Sequence, residues 1–397
     1  MSNVPKKISV VILCNILILS LLLFASSCKS NKPSYDFDYD NKVENNTPDN
    51  QVLEFTYNSA KRYYVVSGIG AYTESSLAIP SVHEGFSVKE IAPGAFKDCY
   101  SLTSVSIPNT VSVIGEGAFA NCVNLCSVTL SNSLSQIAND TFNGCESLKK
   151  ISLPRSITTI GDSAFAGCES LSSIDFAAVK NIGKYAFYGC KSLPKAEFSA
   201  SIATIGKAAF SGCSSMTNVK IIDTAVLTVI EDEVFYGCGK LSTLTLSKKI
   251  TSIGNLAFAN CDSLKKPTLP ASLKAIGDSA FYSCDLLEEI TIPSPVTDVG
   301  TAVFAECVNL EKVSGGSKIN AITDSMFYNC KKLLSTPTFV ATRIDDNAFY
   351  GCTTLTSVVI PSRIITVGAS AFENCTAIKS LIIGETVSNI GRHAFYG

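Results

Sequence analysis

One spacing governs this chain. Thirteen cysteines stand at 99, 122, 145, 168, 190, 213, 238, 261, 284, 307, 330, 352 and 375; nine of the twelve intervals are 23 residues, two are 22 and one is 25. A phenylalanine precedes each of them by three residues, from Phe96 to Phe372, and Phe395 opens a fourteenth copy. A fixed period of this size marks stacked repeats, in which no unit can bury its own apolar face and neighbouring copies cover it instead.

The unit after Cys145 shows the mechanics. Its apolar positions are Leu148, Ile151, Leu153, Ile157, Ile160, Ala164, Phe165 and Cys168. Ile151-Ser152-Leu153 alternates with the period of a strand buried on one face. Pro154 has no N–H and ends the strand; Pro108, Pro270, Pro293 and Pro361 hold the same place. Ile160, Ala164, Phe165, Cys168 and Leu171 follow at helical spacing, which suits a short helix or turn behind the strand. Asp162, Asp278 and Asp324 near its start suit the positive end of a helix. Glycine follows the isoleucine, or the valine at 299 and 367, at 115, 161, 183, 206, 254, 277, 300, 368 and 391, yet Ala92, Ala138, Glu231, Thr323 and Asp345 stand there in other copies. That position therefore does not demand a left-handed backbone. The expected fold class is an α/β solenoid, with a curved parallel sheet on one side and short helices or turns on the other. Strands about 4.8 Å apart would make that sheet on the order of 60 Å long.

The cysteines themselves read as core. An odd-numbered ladder at one apolar position fits buried, reduced thiols better than a disulfide framework, with Cys126 standing apart on the strand side. No C-x-x-C pair offers a zinc site. Two histidines, His83 and His393, and no tryptophan leave a histidine-dependent centre poorly supplied. With 32 basic and 34 acidic residues the chain has no basic excess for nucleic acid. Neither a nucleophile–histidine pairing nor a glycine-rich phosphate loop is present, so no enzyme, cofactor or metal is expected.

Residues 1–28 read as an export signal: Lys6 and Lys7, an apolar run from Ile8 to Phe24, then Ala25-Ser26-Ser27-Cys28. The last four resemble a bacterial lipobox, with Ala25 where leucine is usual, which implies lipidation of Cys28 and membrane anchoring. Simple cleavage and a retained helix are the alternatives. Residues 29–51 are polar and read as a disordered tether; Asp36, Asp38 and Asp40 alternate but lack the rest of a calcium loop. Residues 52–90 read as an N-terminal cap and 91–397 as the repeats. Gly397 stands one residue before the next expected cysteine, so the last copy reads as incomplete.

The consensus C-x-x-L-x-x-I-x-L-P-x-S-[LI]-x-x-I-G-x-x-A-F-x-x-C resembles the BspA-like, 23-residue class of leucine-rich repeats, closest at Leu148–Cys168, Leu264–Cys284 and Leu355–Cys375. The resemblance implies a bacterial cell-surface adhesin that binds matrix or plasma proteins, and it supplies no catalytic residues. In such a solenoid the outward strand residues line the concave face. Here these include Ser104, Ser106, Ser127 and Thr129, then Lys150, Ser152, Ser173, Asp175, Lys195, Glu197, Asn218 and Lys220, followed by Thr243, Thr245, Lys266, Thr268, Glu289, Thr291, Lys312 and Ser314. This hydroxyl ladder with lysines suits an extended protein partner. Glycan binding, or a structural role in the periplasm, is the alternative.

Overall fold

The computed structural model describes residues 52–397, so the segments expected as an export signal (1–28, with Cys28) and a tether (29–51) lie outside the described residues. The repeats wind into a succession of short parallel strands. Most coils contribute two: a face strand such as Lys150–Ile151 and, beyond a corner, a second strand such as Thr159–Ile160; the coils after Cys168, Cys261 and Cys330 contribute the second strand alone. The corner follows from the proline, whose carbonyl accepts the Ile157 N–H at 3.0 Å and closes a turn. Neighbouring coils pair in strict register: Ile160 lies between Ile137 and Ile182.

The second strands form ladders of four: 136–137 to 204–205, 229–230 to 298–299, and 321–322 to 389–390. The face strands form ladders of four, three, two and two, and two of their breaks coincide with proline. Pro267 takes the inward strand position of its coil and Pro337 interrupts the 335–338 segment; neither can donate to a ladder.

Among the described residues there is no helix. The positions expected as a helix or turn are turns, and the backbone shows why. Ser163, Phe165 and Gly167 donate their N–H groups to Lys184, Ala186 and Tyr188 of the next coil at 2.7 to 2.8 Å. The residues between donate backwards instead, Ala166 to Ser163 and Cys168 to Phe165, each at 3.1 Å. Alternate amides thus serve the turn and the neighbouring coil, leaving none for an i−4 ladder. Two left-handed residues per coil, Ser163 (φ 52) and Gly167 (φ 71) here, enforce the pattern. The acids expected at helix starts join coils instead. Asp162 and Asp278 accept the N–H of Lys184 and Thr301 on the next coil, at 2.7 and 2.6 Å.

The glycines after the isoleucines have no positive φ, as expected, but they answer a steric need. A Cβ on Gly277 would lie 2.6 Å from the Asn255 nitrogen and 2.7 Å from the Gly254 carbonyl carbon. The bare backbone lets consecutive coils close up there.

Inside, one continuous core runs from Leu53 to Ala394. Fourteen phenylalanines, Phe96 to Phe395, stack in a column with ring centroids 4.9 to 5.8 Å apart and planes within 18°. Beside them runs the thiol column. Every cysteine of the ladder from Cys122 to Cys375 donates to the carbonyl of the phenylalanine 25 to 28 residues earlier, at 3.0 to 3.4 Å. The described cysteines are free thiols. Ahead of the first full coil, residues 54–58 and 63–68 form an antiparallel hairpin whose second strand pairs with 86–91.

Candidate functional site

The face side of the coils places every candidate residue at the surface, although Ser152, Asp175, Lys266 and Thr268 lie outside strands and Ser173 makes only an isolated bridge to Lys150. The inward positions Ile151, Ala196, Val219 and Ile290 are buried, so pleating turns the residues on either side outward. Lys150, Ser152, Ser173, Asp175, Lys195, Glu197, Lys220, Thr243, Thr245, Lys266, Thr268, Glu289, Thr291 and Lys312 are exposed, and Asn218 is half-buried. Register aligns them in two columns: Lys195, Asn218 and Thr243 in one, Glu197, Lys220 and Thr245 in the other. Glu289 and Lys312 pair farther along, as do Thr291 and Ser314, whose hydroxyls are 2.9 Å apart.

The charges on this face are unequally engaged. Lys195 lies 3.4 Å from Glu197, and Lys266 lies 3.3 Å from Glu289 and 3.6 Å from Glu288. The hydrogen bond and charge of Glu289 raise the Lys266 ammonium above its ordinary value. Lys150, Lys220 and Lys312 carry no ion pair among the described residues. They are the cations left for a partner, surrounded by hydroxyls that can both donate and accept.

The face changes character toward its far end. Val359 and Ile382, paired in register, occupy outward positions and are 51% and 57% exposed. The outward residues counted from sequence stop at Ser314, and the same count carried on from Cys352 and Cys375 finds both. The 25-residue copy adds a loop at 222–227, where Asp223 accepts the Lys248 N–H at 3.0 Å and meets its ammonium at 3.1 Å.

Burial drives the ladder thiols up, to about 12 at Cys122 and Cys238, so they remain protonated and unreactive. No group of three His, Cys, Asp or Glu among the described residues could hold a metal ion. An open groove on the second side is lined by Asp324, Asp345, Asp346, Thr366 and Asn389. Two of its acids are already engaged: Asp346 accepts the Ala369 N–H at 2.7 Å, and Asp345 pairs with Arg343 at 2.9 Å.

Coils of this length, with apolar columns inside and a polar strand face outside, define a leucine-rich-repeat β-solenoid of about fourteen turns. The family model for the BspA type leucine rich repeat region matches residues 89–217, 203–334 and 342–397. The chain belongs to that family. Among solved structures it is similar to a leucine-rich repeat protein from Bacteroides ovatus, at 28% identity and a TM-score of 0.78, covering 90% of this chain and 92% of that one. It is also similar to a leucine rich cell surface protein from Faecalibacterium prausnitzii, at 26% identity and a TM-score of 0.51, covering 87% and 95%. None of the curated proteins compared matches the sequence.

Proposed function

We propose that this is an exported, surface-displayed adhesin that captures extracellular or cell-surface proteins through its strand face and catalyses no reaction. The observation that carries the reading is the register of that face: exposed hydroxyls recur along it over a continuous core, with the unpaired Lys150, Lys220 and Lys312 spaced among them. Repeat arrays bind extended partners on such surfaces. Rigid display keeps the ordering cost of binding low. The surface location named for the Faecalibacterium relative supports export, and the basic, apolar and small-residue order before Cys28 supports a lipid anchor.

The test is capture of immobilised plasma and matrix proteins by the full-length chain. Reversing Lys150, Lys195 and Lys220 to glutamate should weaken capture roughly tenfold, since each exposed pair contributes up to about 1 kcal/mol. Undiminished capture by that variant would remove the strand face from the site. The alternative, a periplasmic protein that binds glycans or braces the envelope, predicts that protease applied to intact cells leaves the chain uncut.

A further inference from the structure

The turn side carries a row of aromatic residues that the core does not need. Tyr188, Tyr236, Tyr282, Tyr328 and Tyr350 each follow directly after a stacked phenylalanine. The phenylalanines are buried, whereas Tyr188 is exposed and the other four tyrosines are half-buried. Ala259 and Ala305 hold the same position on intervening coils and are buried. Tyr328 and Tyr350, on adjacent coils, lie ring on ring at 4.8 Å and 8°. Packing alone does not call for tyrosine here, because Ala120 and Ala166 fill the position elsewhere.

Acids flank the same row. Glu306 immediately precedes Cys307, and Glu373 takes the tyrosine position one coil beyond Tyr350. Burial and then the Glu306 charge raise the Tyr282 phenol. Burial first, then Tyr350, Glu306, Tyr282 and Glu373, raises that of Tyr328. These rings and carboxylates therefore share one local field. Asp262 and Asp285 directly follow ladder cysteines on neighbouring coils, and burial followed by the Asp285 charge pushes the Asp262 carboxyl up. None of these four acids has an ion pair among the described residues, and Lys331 and Lys332 nearby make none with them.

We propose that this row, from Tyr282 to Glu373, is a second binding surface that takes an extended cationic segment rich in arginine or lysine from a partner protein. Aromatic rings attract guanidinium and ammonium groups. Carboxylates without a cation of their own supply the complementary charge and the steering. A neutral glycan would stack on the rings but leave the charge of the acids uncompensated, and a nucleic acid would be repelled by them. The surface is opposite in polarity to the lysines of the strand face, and the inference does not rest on what that face binds.

The experiment is fluorescence anisotropy of a labelled alternating arginine–serine peptide against the full-length chain at low and high salt. Binding should weaken with salt. It should fall roughly tenfold in the Glu306→Gln/Glu373→Gln variant and several-fold in Tyr328→Ser, in keeping with surface ion-pair and cation–π strengths. Tyr328→Phe, which keeps the ring and the packing, should bind within a factor of two or so of the parent. The Lys150, Lys195 and Lys220 reversal should leave this binding intact, which separates it from the strand-face reading. The proposal is overturned if the peptide does not bind the parent chain. It is equally overturned if the glutamine variant binds like the parent, or if an uncharged glucan oligosaccharide displaces the peptide.

Discussion

Phe258→Ala tests whether the stacked column holds the solenoid together. Phe258 is fully buried between Phe235 and Phe281, each 5.5 Å away with planes inclined by 14° and 13°. Truncation removes the transfer free energy of the ring and opens a cavity, about 3–5 kcal/mol for a core phenylalanine. It also removes two ring contacts of about 0.5–1.5 kcal/mol each. Because the mutational figure already contains part of the contact energy, the expected loss is about 5 kcal/mol. Phe395 is half-buried and stacks on Phe372 alone at 5.3 Å, so Phe395→Ala should cost about 1–2 kcal/mol. Urea unfolding followed by far-ultraviolet circular dichroism reads both values. The central variant should also split the transition in two, since coils couple chiefly to their neighbours. Equal losses from the two variants, with one sharp transition in each, would refute a column shared from coil to coil.

Two further outcomes follow from the hydrogen bonds and the thiols. Asp278 accepts both the N–H and the hydroxyl of Thr301, at 2.6 and 3.1 Å, so Asp278→Ala should cost about 1–2 kcal/mol and Asp278→Asn much less; amide exchange at Thr301 that fails to quicken in the alanine variant would rule out this bond. Burial pushes the Cys122 thiol from its ordinary 9.0 up to about 12. A raised folded pKa stabilises fully below pH 9 and is lost between 9 and 12, by about 1.4 kcal/mol per pH unit for each such thiol. Urea midpoints measured at pH 8 and pH 10 should therefore drop steeply, less so in Cys122→Ala, and a flat profile would contradict the buried ladder.

The repeat, its inward residues and its outward face were legible because period and alternation are properties of side chains. Leu148, Ile151, Ile160, Phe165 and Cys168 are all buried in the way their spacing requires. The turn segment was less legible. Consecutive i−3 turns repeat apolar residues at nearly the intervals of a helix, so Ala164, Phe165 and Cys168 fit either. The left-handed positions carried no warning, since Tyr185, Glu233 and Leu256 occupy them as well as glycine. What settles the conformation is the neighbouring coil, whose carbonyls take alternate amides, and a partner 21 to 24 residues away leaves no local mark. The tyrosine row was visible in principle, since each member sits one place after the repeat phenylalanine. A search for aromatic anchors confined to the strand face passes over it.

The corner between the two strands has a consequence for how such chains change length. From each second-strand isoleucine or valine to the next ladder cysteine the count is eight residues throughout, from Ile91–Cys99 to Val367–Cys375. The 22- and 25-residue copies differ from the rest only between the face strand and the second strand, as between Ile221 and Val229. The turn segment admits no insertion, because shifting it by one residue would exchange its two sets of amides. New loops can enter the family at this one edge of the coil, where grafted segments would leave every column in step.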